Sequence, residues 1–353
     1  MIFAFIPSTN EALQDRFFGE GVKTIDKGII YGMSIKEAFE KHGDNIHTID
    51  LFEDFDEVDY FLLEWPQWRW IRFLANENLL NRTVYLNAEP PTVVEYNCPE
   101  GFELLRKIFP YILTYNSDWV DGISVFKRNN PHNFDVRWGN VPFSQRKLLT
   151  AITADKSSDY PTQLYSERRQ VYSFFENNYP NDFDFYGIRW KADEHPAYKG
   201  TVFDKTEIYH KYKFAICLEN TKGTTDYVTE KIFDCMCAGI VPVYGGASNI
   251  LDYVPADCFI DYFSFDNYQD MADYLINMPE QRYNEYLANI TSWLNNTDKY
   301  RYSLDAYVEH IINAIKNKKT FKLSLTAWIA VNLRGIREIG WNKLVDIKHK
   351  LFN

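Results

Sequence analysis

Between Tyr212 and Gly246, in YKFAICLENTKGTTDYVTEKIFDCMCAGIVPVYGG, groups able to hold a charged nucleotide crowd behind an apolar run. Phe214 to Leu218 reads as a buried strand that delivers Glu219 and Asn220 to a polar loop. Thr225 or Asp226 can cap a helix over 227–238, whose first turns present Tyr227, Glu230 and Lys231, with Tyr227 and Lys231 four residues apart on one face. A carboxylate beside a lysine at a helix start suits a nucleotide sugar: it accepts from ribose hydroxyls, while the cation and the unpaired first-turn amides face a diphosphate. The same residues also fit a solvated Glu-Lys pair of little energetic weight.

Two further places carry usable groups. In TVYLNAEPPTV, Glu89 stands just past the end of a strand at 84–87, where a carboxylate projects into the crevice of an open α/β sheet, and Pro90 and Pro91 stiffen the chain beyond it. It is the candidate general base, with Glu95 as runner-up. Arg168 and Arg169 open a helix predicted over 166–178, and a guanidinium can bridge phosphate oxygens bidentately where lysine acts as a point charge. The pairs Asp54/Asp56 and Asp182/Asp184 lie in an acidic turn and at a strand entry, and the seven histidines lack metal-ligand spacing. No metal is required, since cationic side chains can offset the leaving-group charge; a divalent ion would at most stimulate.

The elements that must position these residues alternate. Strands are predicted at 2–6, 46–52, 60–63, 84–87 and 111–115, with helices at 34–42, 68–79 and 102–109 between them. After a polar stretch at 129–145, strands at 148–153, 183–186, 214–218, 240–244 and 258–261 alternate with helices, and helices over 268–278, 280–294 and 305–319 complete the pattern. Such alternation implies parallel sheets. The expectation is α/β: two Rossmann-like domains, an N-terminal acceptor-binding domain over 1–145 and a nucleotide-sugar domain over 146–320, facing one cleft, then a basic amphipathic helical tail over 321–353.

Composition agrees with a globular protein of 353 residues. A net charge of −11 opposes nucleic-acid binding, yet from Lys316 onward nine basic residues face two acidic ones, so this tail carries +7 and the remainder −18. Phe321, Leu325, Trp328, Ile329, Leu333, Ile336, Trp341 and Leu344 stand among those cations, as in an interfacial helix; the tail reads as an anionic-membrane contact or as a helix closing the cleft near Trp328. The N-terminal MIFAFIPSTN lacks signal-peptide character, so a cytoplasmic location is expected, peripheral at the inner face of the membrane if the tail binds lipid. The five cysteines are expected to be reduced.

YKFAICLENT together with DYVTEKIFDCMCAGIVPVYGG resembles the donor-site signature of glycosyltransferase family 10, the α-1,3/4-fucosyltransferases, and ILTYNSD, LLTAITAD and SERRQVYSFF extend the resemblance upstream. The resemblance implies a GT-B fold and inverting transfer of fucose from GDP-β-L-fucose to a GlcNAc-containing glycan or glycolipid, of Lewis-antigen or lipopolysaccharide type, probed first as an α-1,3 linkage. It implies Glu89 as base, a phosphate-binding arginine at Arg169 in preference to Arg168, and Asn220, Tyr227, Glu230 and Lys231 on the nucleotide. Another GDP-linked 6-deoxy sugar as donor, or a non-catalytic glycan- or nucleotide-binding protein, are the alternatives. Trp65, Trp68, Trp70 and Trp119 are candidates for stacking on acceptor sugars.

Overall fold

The computed structural model describes residues 1–19, 28–316 and 319–352, with backbone alone for 28–31 and 341–352. The first unit runs β1 (Ile2–Ile6), α1 (Gly28–Lys41), β2 (Asn45–Thr48), β3 (Tyr60–Leu63), α2 (Trp68–Asn76), β4 (Thr83–Asn87), α3 (Pro99–Arg106), β5 (Tyr111–Thr114) and β6 (Val125–Lys127). Its strands form a six-stranded sheet in the order β2-β1-β3-β4-β5-β6. All pairings are parallel, with Leu63 beside Tyr85 and Asn87 beside Thr114. Such strands are covered on both faces by helices, which is why β3, β4 and β5 are buried at every position.

The second unit contains β7 (Lys147–Ile152), α4 (Tyr165–Asn178), β8 (Phe183–Tyr186), α5 (Lys205–Tyr209), β9 (Tyr212–Leu218), α6 (Glu230–Ala238), β10 (Val241–Gly245), β11 (Ile260–Asp261), α7 (Tyr268–Ile276) and α8 (Glu280–Leu294). Its five-stranded parallel sheet has the order β11-β10-β9-β7-β8. Strand β6 and helix α5 are too short to show a period in the sequence, and both lie outside the predicted elements.

Two helices cross back. Helix α9 (Leu304–Ile315) buries Tyr307, Val308, Ile311, Ala314 and Ile315 against Phe3, Leu62, Val84 and Leu113 of the first sheet. An amphipathic helix can serve either sheet, and here the fold sets α9 on the first, although it follows the second in sequence. Helix α10 (Leu325–Phe352) lies along α2: Val331 joins the first unit's core, the Arg69 amide donates to Glu338 at 2.9 Å, and Arg72 Nε donates to Asn332 at 3.0 Å. It does not close the cleft at Trp328, whose side chain stays 41% exposed. The side chains of Trp341 and Leu344 lie outside the described residues. No helix among the described residues is long and apolar enough to cross a membrane.

Candidate active site

Strand order reverses in each sheet, between β1 and β3 in the first and between β7 and β9 in the second. Loops leaving the carboxyl ends of neighbouring strands part at such a point and open a crevice. The two crevices face each other across a cavity of about 520 Å³. Ser8, Glu64 and Glu89 reach it from the first unit; Lys156, Asn220 and Lys231 reach it from the second.

Behind the lining of the second half, Glu219 is wholly buried just past β9. Its carboxylate accepts from the Thr229 amide at 2.8 Å, the Thr229 hydroxyl at 2.8 Å and Lys231 Nζ at 3.1 Å. Gly246 allows this closeness, since a Cβ there would collide with Glu219 Cγ. Burial alone would pull the Lys231 ammonium down, but Glu219 and Glu230 outweigh it and hold the lysine firmly charged. Glu230 is likewise held below the usual carboxylate range, because Lys231 and Lys205 outweigh burial.

The expected cap at Thr225 or Asp226 is not what starts α6. Thr229 is the N-cap, its hydroxyl accepting from the Lys231 amide, and Tyr227 precedes the helix instead of sharing its face with Lys231. Glu219 imposes this by binding both the amide and hydroxyl of Thr229. Asp226, at φ 62°, instead ties the units together: it accepts from the Ser117 amide at 2.9 Å, pairs with Lys127 at 2.9 Å and accepts from Asn249 Nδ2 at 2.8 Å.

A hydrogen-bond chain spans the cleft. Arg168 NH2 donates to Asn220 Oδ1 at 3.2 Å, Asn220 Nδ2 donates to the Tyr227 hydroxyl at 3.2 Å, and that hydroxyl donates to Glu89 Oε2 at 2.9 Å. Asn97 fixes the Glu89 backbone, donating to its carbonyl at 2.7 Å while accepting from the Tyr85 hydroxyl at 2.8 Å. Burial raises the Glu89 pKa, opposed by Lys231 and the Tyr227 hydroxyl. The result is a carboxylate of enhanced basicity that still has partners for its charged form.

The two arginines part company. Arg168, 3% exposed, lines the cavity and also donates to the carbonyls of Leu218 and Glu219 at 2.7 and 2.8 Å. Arg169 points into an adjacent polar pocket, paired with Asp155 at 2.6 Å and donating to the Lys156 carbonyl at 2.6 Å. Glu95 lies in a neighbouring groove with Tyr96 and Glu338, away from Tyr227. Of the four tryptophans, Trp65 lines the cavity; Trp68 is core beneath Arg334, Trp70 packs on Phe73, and Trp119 stacks on Phe102 at 4.1 Å. Asp184 is taken by Lys147 and Tyr212, and Asp54 caps a short turn. Among the described residues no group of three or more His, Cys, Asp and Glu is placed for a metal ion.

Residue-by-residue reading missed several groups. Lys156, half-buried four residues past β7, faces Glu89, Lys231 and Arg168, and burial lowers its pKa. Its position repeats the logic that found Glu89, a charged residue just beyond the carboxyl end of a parallel strand. Glu64, immediately after β3, carries the same signal. Asp234 on α6 is held charged within the cavity wall by Lys205 and His132, at 2.9 and 3.1 Å. Its partners come from distant segments that no local pattern connects.

Comparison with known proteins adds a family. Residues 153–321 match glycosyltransferase family 10 (fucosyltransferase), C-terminal part. The chain is 42% identical over 79 residues to an Arabidopsis thaliana alpha-(1,4)-fucosyltransferase, covering 22% of this chain and 20% of that protein. Over 125 residues it is 30% identical to the Helicobacter pylori alpha-(1,3)-fucosyltransferase FucT, covering 35% and 22%. With human alpha-(1,3)-fucosyltransferase 7 it shares 27% over 192 residues, covering 53% and 50%. The matches thus span from a fifth to half the length of these relatives. A crystal structure of an alpha1,3-fucosyltransferase with GDP superposes over 92% of each chain at a TM-score of 0.57 and 14% identity, which establishes the shared two-domain GT-B fold.

Proposed function

From the match of residues 153–321 to glycosyltransferase family 10, we propose that the chain transfers L-fucose from GDP-β-L-fucose to a hydroxyl of a GlcNAc-containing glycan, with inversion. The observation that carries this reading is the pairing, across one cleft, of a carboxylate of raised pKa with a cationic nucleotide pocket.

The acceptor oxygen attacks C1 of fucose while Glu89 takes the hydroxyl proton. The bond from C1 to the β-phosphate oxygen breaks on the opposite face, and its electron pair leaves with GDP. Lys231, locked charged by Glu219, and Arg168, held by the carbonyls of Leu218 and Glu219, face the diphosphate from the second unit. Arg168 is preferred over Arg169 because it lines the cavity and adjoins Asn220. Glu230 is assigned to the ribose hydroxyls, and Tyr227 links donor site and base. These charged groups supply the electrostatic stabilisation without assigning a metal to the step.

We also assign α10 as a peripheral contact with anionic lipid, its exposed Leu325, Trp328, Ile329, Leu333 and Ile336 lying amid a basic segment. The test of function is GDP release and product mass with GDP-fucose and an acceptor panel led by N-acetyllactosamine and lacto-N-biose. A deoxyhexose gain that disappears in Glu89→Gln and Lys231→Ala supports the reading; absence of GDP binding refutes it.

A further inference from the structure

Glu64 and Arg128 are an acid and a base that face one cavity without meeting. Glu64 follows β3 at the first unit's reversal point, next to the strand that delivers Glu89. Among the described residues no side chain or amide hydrogen-bonds its carboxylate, which lines the cavity. Arg128 follows β6 and is 1% exposed. Its NH2 donates to Asn130 Oδ1 at 3.2 Å, and its guanidinium lies 5.2 Å from the centre of the Tyr307 ring. Its Nε and NH1 are buried with no hydrogen-bond partner. Arg128 is the main opposite charge felt by Glu64, yet the two form no ion pair.

Leaving Arg128 Nε and NH1 unpaired is costly, since buried charged donors are normally satisfied, and the half-buried Glu64 carboxylate offers a free acceptor in the same cavity. A ligand atom that both donates and accepts would satisfy the two together. We infer that Glu64 and Arg128 form an acceptor subsite that reads a neutral sugar hydroxyl next to the one undergoing transfer, the hydroxyl donating to Glu64 and accepting from Arg128. The inference rests on the transferase reading above and specifies the class of acceptor. A carboxylate or sulfate at this position would meet Arg128 but lie against Glu64 and Glu89, and an amine would meet the reverse. Only a group with both polarities suits the pair. The nucleotide-binding groups lie on the opposite unit, so the subsite acts on the acceptor and not on GDP.

The experiment uses the full chain. GDP affinity is measured by titration, and acceptor kinetics with GDP-fucose are measured for N-acetyllactosamine, lacto-N-biose, their monodeoxy analogues and their 3′-sialylated forms. Glu64→Gln is expected to raise the acceptor KM about tenfold or more, the size of one hydrogen bond to a charged group, with GDP affinity unchanged within about threefold. In that variant one monodeoxy analogue should lose its disadvantage against the parent glycan. Arg128→Lys, which keeps charge but loses the planar pair of N–H groups, should act on the same analogue; Tm confirms folding. An acceptor KM unmoved by Glu64→Gln, or a sialylated acceptor used as well as its neutral parent, overturns the inference. If GDP binds but nothing turns over, saturation-transfer NMR with the same glycans decides: binding by neutral glycans that weakens in Glu64→Gln supports the subsite, and no such binding removes it. Failure to bind GDP refutes the donor assignment itself.

Discussion

Replacing Tyr227 with Phe removes one oxygen and tests the coupling of the two units. The Tyr227 hydroxyl donates to Glu89 Oε2 at 2.9 Å and is itself buried. It favours the charged form of Glu89, so its loss makes the carboxyl hold its proton more tightly and raises the pKa further above the ordinary 4.5. A hydrogen bond to a charged group contributes roughly 1.5–3 kcal/mol, and about 1.36 kcal/mol corresponds to one pKa unit. The expected shift is therefore about 1 to 2 units upward. A general base works deprotonated, so the rate rises with pH through this pKa and the acid limb should move to higher pH by that amount. The assay is kcat/KM for acceptor against pH at saturating GDP-fucose, with Tm and GDP affinity measured alongside. The plateau should survive within about tenfold, since Glu89 itself remains. An acid limb that stays put, or moves to lower pH, in a folded variant would refute the assignment of Glu89 as base.

Arg168→Ala should weaken GDP binding about tenfold or more and lower Tm, because it leaves the carbonyls of Leu218 and Glu219 without their donor, whereas Arg169→Ala should change GDP affinity less than about threefold; titration calorimetry compares them. Lys156→Met should weaken GDP more than GMP, by about tenfold in the ratio of affinities, if its ammonium faces the distal phosphate. Asp226→Asn should cost about 3 kcal/mol in urea unfolding at neutral pH by stripping Lys127 of its buried counter-charge. The Asp226 carboxyl is held below its usual 3.8, so its contribution is present above that value and fades as pH falls through the lowered folded-state value; the Asn variant should lose this part of the acid sensitivity. Val331→Ala should destabilise by about 2 kcal/mol through a cavity between α10 and α2, read by thermal or urea unfolding.

Much of the site could be read along the chain because its signals are local. The apolar run of β9 ends in Glu219 and Asn220, the helix with Glu230 and Lys231 begins within a few residues, and Glu89 stands directly past β4; strand, polar residue and helix start are neighbours in sequence. The alternation of apolar runs likewise announced two parallel α/β units, since strands covered on both faces must be continuously apolar. Tertiary structure decided what depends on contacts between distant segments. Whether Arg168 or Arg169 turns inward depends on the face of α4 that meets Leu218 and Glu219. The true start of α6 is set by the grip of Glu219 on Thr229, and the return of α9 to the first sheet by which apolar surface remained uncovered. Glu64 and Arg128 are separated by most of the first unit, and only the strand order brings a carboxylate after β3 and a guanidinium after β6 to the same cavity, because chain spacing carries no information about which loops converge.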